Sequence, residues 1–127
     1  MILDASAVLA LLNNEPGAEE VRAVIGNAEM SAVNVAEVAA KLADAGMPDA
    51  HIMRALAIGF DTLPFGEDEI ALMSSIRKAT KKHGLSLGDR CCLVTALVHK
   101  RPVLTADRAW ANVKVRGLRI EVLKERD

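Results

Sequence analysis

The sequence is poor in aromatic residues, and this scarcity limits the ways in which it can bind nucleic acid. Its 127 residues include one tryptophan, two phenylalanines and no tyrosine. A protein that grips single strands by stacking bases needs a row of aromatic side chains. The net charge of −1 also differs from the strongly basic balance of many nucleic-acid-binding domains. A polyanionic partner would therefore have to be held by a local basic patch or through a metal ion.

Cysteines and long apolar runs are also scarce. The two cysteines, Cys91 and Cys92, are adjacent, which suits neither a structural disulfide nor a zinc site, and we expect a buried thiol pair in a reducing compartment. No apolar run approaches the roughly 20 residues that a membrane-spanning helix needs. The chain opens on Met1-Ile2-Leu3-Asp4 rather than on a basic segment followed by a long apolar stretch. These features predict a cytoplasmic protein without a membrane segment.

The sequence does contain enough apolar material for one ordinary core. Hydrophobic residues make up 51% of the chain and charged residues 26%, which is the balance of a globular protein. We find no internal repeat, low-complexity tract or linker. A single domain over residues 1–127 is therefore predicted.

Short apolar runs alternate with helical patterns along the chain. The helix from Ser86 to about Lys100 is apolar nearly all round, so it is predicted to lie inside the domain. Strands that alternate with helices imply a mostly parallel sheet covered on both faces, which is a three-layer α/β/α fold. The predicted strands lie near residues 1–3, 30–33, 61–65, 102–105 and 119–123.

Four acidic residues are predicted at one edge of this sheet, where the ligands of open parallel sheets bind. They are Asp4 and Asp107 directly after strands, Glu37 one turn into a helix, and Asp89 at the start of the buried helix. Carboxylates gathered at one edge would repel and so raise one another's pKa, and a bound cation would relieve this repulsion. Their oxygen atoms suit Mg²⁺ or Mn²⁺, whereas zinc would call for His or Cys. The sequence has no glycine-rich phosphate loop, so a phosphate group would have to be handled by metal.

Each acid also has a structural interpretation as a helix cap. Asp4 or Ser6 would cap the first helix, and Asp107 would cap the short helix that carries Trp110. Glu37 and Asp89 would each complete a capping box with a polar residue three positions earlier. Those pairs are Asn34 with Glu37 and Ser86 with Asp89. Acids at helix starts are common for their own reasons, so caps and a metal site both stay open for these residues.

Four motifs along the chain resemble those of the VapC branch of PIN-domain proteins. They are Leu3-Asp4-Ala5-Ser6-Ala7, Ser31 to Val38, Leu85 to Leu93, and Leu104 to Trp110. Each motif alone is weakly specific, whereas the ordered set is strongly so. The resemblance extends from the first residue to about Val122.

This resemblance implies a PIN-like α/β/α fold and a Mg²⁺- or Mn²⁺-dependent RNA endonuclease. It also implies a homodimer and a VapB-like antitoxin that masks the active site. By position, it assigns Asp4, Glu37, Asp89 and Asp107 as the catalytic and metal-binding acids, with Ser6 and Thr105 as supporting polar groups.

Basic side chains close to these motifs are candidates for contacts with substrate. Lys81 and Lys82 end the helix before Asp89, and Arg90 and Arg108 each follow one of the acids. Contacts of this kind position RNA by its phosphates without reading its bases. The lysines can equally be a solvated helix end.

Two other functions remain open on the residues alone. The chain could be a PIN-type nuclease of RNA processing or decay that has no antitoxin. It could also be a noncatalytic domain that binds RNA or protein, in which the acids only cap helices. A phosphatase or a receiver domain uses acids on a parallel sheet too, but the chain has no clear lysine after its last strands to support that function.

Overall fold

The computed structural model describes residues 1–124, and a five-stranded sheet lies at their centre. The strands are β1 (Ile2–Leu3), β2 (Glu29–Ser31), β3 (Asp61–Leu63), β4 (Val103–Thr105) and β5 (Ile120–Val122). They lie in the order β3-β2-β1-β4-β5, and all four pairings are parallel. The predicted three-layer α/β/α fold with a mostly parallel sheet is confirmed.

Residues 1–124 also contain six α-helices and two 3₁₀ segments. The helices are α1 (Ala5–Leu12), α2 (Ala18–Val24), α3 (Ala32–Asp44), α4 (Asp49–Leu56), α5 (Glu67–Lys81) and α6 (Leu87–His99). The 3₁₀ segments are Ile25–Asn27 and Arg108–Asn112. None of the helices in this part of the chain combines the length and the apolar character needed to span a membrane.

Two hydrophobic cores lie on opposite faces of the sheet, because successive side chains of a strand point to opposite sides. Leu3 packs into the core formed with α1 to α4, whereas Ile2 packs into the core formed with α5 and α6. Six consecutive residues of α6, from Cys91 to Ala96, are buried. This confirms that α6 is an interior helix and that the two cysteines are buried thiols.

Helix α3 begins earlier than the sequence pattern predicted, so the expected capping box of Asn34 with Glu37 is wrong. Ser31 is the N-cap residue, and its Oγ accepts a hydrogen bond from the Val33 N–H at 3.2 Å. The helix follows β2 without a loop, and the serine that ends the strand is itself a strong cap. Asn34 therefore lies in the first turn of α3, where its buried amide is available to other elements.

The strand order places a topological switch point between β1 and β4. The chain leaves β1 toward β2 on one side, while β4 and β5 lie on the other side. Ligands of open α/β sheets bind at such a point, outside the carboxyl ends of the strands. Asp4 follows β1, and Thr105 ends β4, so both lie at this position.

Candidate active site

Asp4 lies buried at the switch point, within a network of hydrogen bonds. Its side chain is the N-cap of α1, and Oδ1 accepts from the Ala7 N–H at 2.9 Å. Thr105 Oγ1 donates to Oδ2 at 2.7 Å, and Ser6 Oγ lies 2.8 Å from both carboxylate oxygens. The two residues predicted as supporting polar groups are thus in direct contact with Asp4.

Backbone donors hold these two hydroxyl groups in place. The Ala106 N–H donates to Ser6 Oγ at 2.9 Å, and the Asp107 N–H donates to Thr105 Oγ1 at 3.0 Å. A hydroxyl oxygen that accepts a backbone hydrogen bond can still donate its own proton. The backbone after β4 therefore orients both hydroxyl groups so that each can donate to the Asp4 carboxylate.

Burial raises the pKa of Asp4 to about 6. The hydrogen bonds from Thr105, Ala7 and Ser6 lower this pKa, and the negative charge of Asp89 raises it. Desolvation outweighs the hydrogen bonds because only 3% of Asp4 is exposed. At neutral pH the carboxylate is thus ionised at a site that disfavours its charge, which is the electrostatic condition that a bound cation relieves.

We predict that Thr105→Val lowers the free energy of unfolding by about 2 kcal/mol at pH 7.5. The substitution keeps the shape of the side chain but removes a donor to a buried charge and the acceptor of the Asp107 N–H. Urea unfolding would measure the change. Thr105→Ser keeps the hydroxyl group and is expected to lose much less. Equal stability of the valine variant and the wild type would contradict the prediction.

Glu37 extends from α3 across to α6. Asn34 Nδ2 donates to Glu37 Oε1 at 2.6 Å and to the Gly88 carbonyl oxygen at 3.0 Å. A Cβ atom added to Gly88 would lie 2.4 Å from Glu37 Oε1. The carboxylate thus lies directly against Gly88, the residue that precedes Asp89.

Asp89 lies in the first turn of α6, where it completes the capping box with Ser86. Its Oδ2 accepts from the Ser86 N–H at 2.9 Å, and its own N–H donates to Ser86 Oγ, which confirms the predicted capping box. Burial raises the pKa of the Cys92 thiol well above its usual value, and the negative charges of Asp4, Asp89 and Glu37 raise it further. One buried thiol is therefore influenced by three of the four predicted acids.

Asp107 is the most separate of the four acids. Its side chain is exposed and caps the 3₁₀ segment that carries Trp110, where Oδ1 accepts from the Ala109 N–H at 2.9 Å. Its connection to Asp4 runs through its backbone N–H and the Thr105 hydroxyl. The predicted cap is confirmed, and the residue lies at the same edge of the sheet as Asp4.

The side chains do not form a preassembled metal site. Within residues 1–124, no group of three or more His, Cys, Asp or Glu side chains is arranged to hold a metal ion. The carboxylates and hydroxyl groups present are nevertheless the kinds of ligand that Mg²⁺ and Mn²⁺ prefer. In the hydrogen bonds described above, Glu37, Asp89 and Asp107 each use one carboxylate oxygen, so capping and metal binding do not exclude each other.

The predicted substrate-binding residues are dispersed. Lys81, the last residue of α5, and Lys82 directly after it are exposed. Arg90 is half-buried, and its Nε atom has no hydrogen-bond partner in the described part of the chain. Arg108 is exposed and lines a cavity of about 300 Å³. A basic cavity of about 450 Å³ also includes Lys114, which the sequence pattern does not single out. Its lining residues are Ser75, Lys78, Ala79, Lys82, His83, Asn112 and Lys114.

Two residues beside Glu37 make contacts that the sequence pattern does not predict. The sequence pattern predicts Asn34 only as a helix cap and indicates no contact for Gly88. The sequence carries no direct signal for either contact, because Asn34 and Gly88 are 54 positions apart. They meet only because α3 packs against α6.

Several solved structures share this fold at low sequence identity. A chain in the crystal structure of VapBC2 from Rickettsia felis, bound to a DNA fragment from their promoter, is 14% identical with a TM-score of 0.76, over 97% of this chain and 98% of that one. The corresponding values for VapBC-1 from nontypeable Haemophilus influenzae are 20% and 0.71, over 96% of each chain. For VapBC-5 from Mycobacterium tuberculosis they are 22% and 0.67, over 95% and 96%.

A search of curated proteins found no match. A family model described as the PIN domain, in contrast, matches residues 1–116. That match extends over all four motifs and over β1 to β4. Since it covers most of the sequence, the chain belongs to the PIN domain family.

Proposed function

We propose that this protein is a divalent-metal-dependent endoribonuclease and the toxin of a VapBC-like toxin–antitoxin pair. PIN domains are nucleases, so the broad class is a hydrolase that acts on nucleic acids. One observation carries the more specific proposal. Asp4, ionised but buried at the switch point, lies close enough to Asp89 for the negative charge of Asp89 to raise the pKa of Asp4.

The oxygen ligands of the four acids suit a hard divalent cation such as Mg²⁺ or Mn²⁺ by their chemistry, and the site would assemble as the ion binds. Asp4, Glu37 and Asp89 would hold it directly or through water, and Asp107 would hold a second ion or orient the attacking water. Such an ion, when bound, acidifies an attacking water and neutralises charge on the phosphodiester. Ser6 and Thr105 keep the Asp4 carboxylate fixed at the end of β1 through their hydroxyl groups.

Basic residues around this edge would hold the flanking phosphates of RNA. Lys82 and Lys114 line the same cavity beside the end of α5, and Lys81 is the last residue of that helix. Arg90 and Arg108 follow two of the acids directly. Contacts with phosphates would supply affinity and register but no base specificity.

The partner proposals rest on the structural neighbours. Those chains come from VapBC structures of three organisms, one of them bound to promoter DNA. A VapB-like antitoxin that masks the acidic edge, and a homodimer of this chain in the cytoplasm, are proposed by analogy. Light scattering of the purified chain, and its co-purification with the product of a neighbouring gene, would test these two proposals.

RNA cleavage is the direct test of the proposed activity. Antitoxin-free protein would be incubated with a mixed RNA pool in Mg²⁺, in chelator, and in chelator followed by excess Mg²⁺. We expect discrete RNA fragments with Mg²⁺, none with chelator, and recovery when Mg²⁺ is restored. Matched single-stranded DNA in parallel reactions would establish the preference for RNA. Identical RNA patterns under all three conditions would contradict the proposal.

A noncatalytic domain is the second candidate, because three of the acids do cap helices. Titration with Mn²⁺, followed by the spectroscopic signal of the free ion, separates the two functions. We expect saturable binding that Asp89→Asn weakens by about tenfold or more, since it removes a charged ligand. The control is Asp44→Asn, an exposed acid two helical turns beyond Glu37. A set of caps alone would give no saturable binding in any of the proteins.

A further inference from the structure

The backbone conformation at Gly88 does not require a glycine. It is the second residue of α6 and does not have the positive φ that favours glycine. Alanine is preferred to glycine in such a helical position. The space that a Cβ atom would need is instead occupied by Glu37, with all three atoms of its carboxylate group within 2.6 Å of the added carbon.

Asn34 holds the same carboxylate by a hydrogen bond. Its side chain is 1% exposed, and Nδ2 donates both to Glu37 Oε1 and to the Gly88 carbonyl oxygen. Its Oδ1 has no hydrogen-bond partner in residues 1–124, which costs free energy at a buried position. Rotating the amide by 180° would place Oδ1 against two acceptor oxygens. The amide is thus fixed in the orientation that holds Glu37, although this orientation leaves Oδ1 without a hydrogen bond.

We infer that Asn34 and Gly88 are positioning residues that hold the Glu37 carboxylate beside Asp89 for metal binding. This inference rests on the proposed function and deepens it. The missing side chain of Gly88 lets the α3 carboxylate reach the first turn of α6, and the Asn34 amide fixes it there. Any side chain at position 88 would move the Glu37 carboxylate away from the site.

Gly88→Ala tests the inference. The new methyl group would collide with the Glu37 carboxylate, which ends a flexible side chain and can rotate away. We expect Mn²⁺ affinity to fall about tenfold, a typical cost of losing support around a metal ligand. The urea midpoint of the metal-free protein should equal or exceed that of the wild type, because alanine favours the helix. Gly26→Ala is the matched control, since nothing lies within 4 Å of a Cβ atom at that glycine.

A double-mutant cycle shows whether the effect passes through Glu37. In a Glu37→Gln background the charged ligand is already lost, so Gly88→Ala should weaken Mn²⁺ binding little further. Asn34→Leu is a second route to the same effect that leaves Gly88 intact. It too should lower Mn²⁺ affinity about tenfold in the wild type and much less in the Glu37→Gln background.

Three results would overturn the inference. Unchanged Mn²⁺ affinity in both Gly88→Ala and Asn34→Leu, while wild-type protein binds Mn²⁺ and cleaves RNA, would refute the positioning role and leave the proposed function intact. An equal loss of affinity with and without Glu37 would show that the two residues act by another route. Failure of the wild type to bind Mn²⁺ and to cleave RNA would reject the proposed function together with the inference.

Discussion

Asp4→Asn is expected to lower kcat/KM for RNA cleavage by about a thousandfold at pH 7.5. A catalytic metal supplies several kcal/mol of transition-state stabilisation, and a loss of about 4 kcal/mol corresponds to that factor. Asp4 is the most buried of the four acids and lies where β1 meets β4. The neutral amide would remove the charge that attracts the cation to this point.

Apart from the loss of charge, asparagine at position 4 is expected to preserve the local hydrogen bonds. It retains an oxygen that can accept the Ala7 N–H and so continue to cap α1. The Ser6 and Thr105 hydroxyl groups can reorient to accept from the new amide. The fold is therefore expected to persist, as circular dichroism would verify, and Asp44→Asn should cleave RNA like the wild type. Cleavage by Asp4→Asn at the wild-type rate would contradict the proposed role of Asp4.

The second large effect is a pH-dependent contribution of Asp4 to the stability of the metal-free protein. Burial raises the pKa of Asp4 from an ordinary 3.8 to about 6, so the folded state binds this proton more tightly than the unfolded chain. The contribution is complete below about pH 3.8 and is lost as the pH rises through about 6. The shift corresponds to about 3 kcal/mol of unfolding free energy.

Other carboxylates also titrate in this range, so the measurement is a difference between two proteins. Urea unfolding of the wild type and of Asp4→Asn would be compared in chelator at several pH values from 4 to 7.5. The variant should gain about 2.5 kcal/mol relative to the wild type between the two ends of the range, slightly less than the full shift because at pH 4 the unfolded-state carboxyl is already partly ionised. A difference that does not change with pH would mean that Asp4 titrates normally.

Mg²⁺ should restore the stability that the protein loses when Asp4 ionises, and it should do so in the wild type only. A ligand that binds the folded state raises its stability, and the Asp4 carboxylate is the group whose charge such an ion compensates. Asp4→Asn would then be more stable than metal-free wild type at pH 7.5 and nearly insensitive to Mg²⁺. A buried acid that lowers stability but serves the reaction is a common feature of active sites.

Local features of the sequence were sufficient to predict most elements and three of the caps. Acids at the start of α5 and lysines at its end complement the helix dipole wherever the helix lies. Asp4, Asp89 and Asp107 cap helices through backbone groups two or three residues away. Such bonds depend only on neighbours along the chain, which is why patterns of a few residues reveal them.

The start of α3 shows where local reasoning fails. Asn34 and Glu37 have the spacing of a capping box, but Ser31 also has the chemistry of a cap and lies directly at the end of β2. Two competing caps within four residues differ little in local free energy. The end of the strand, which is fixed by its pairing with β1 and β3, decided between them.

The sequence alone determined which residue types were available, their order, and the strand and helix ends at which the acids lie. Only the tertiary structure decided how they act on one another. Asp4 and Thr105, 101 positions apart, are joined by the pairing of β1 with β4, and burial there sets the pKa of Asp4. Glu37 meets Gly88 only through the packing of α3 against α6. Desolvation and close contact depend on distances between remote segments, which no local pattern specifies.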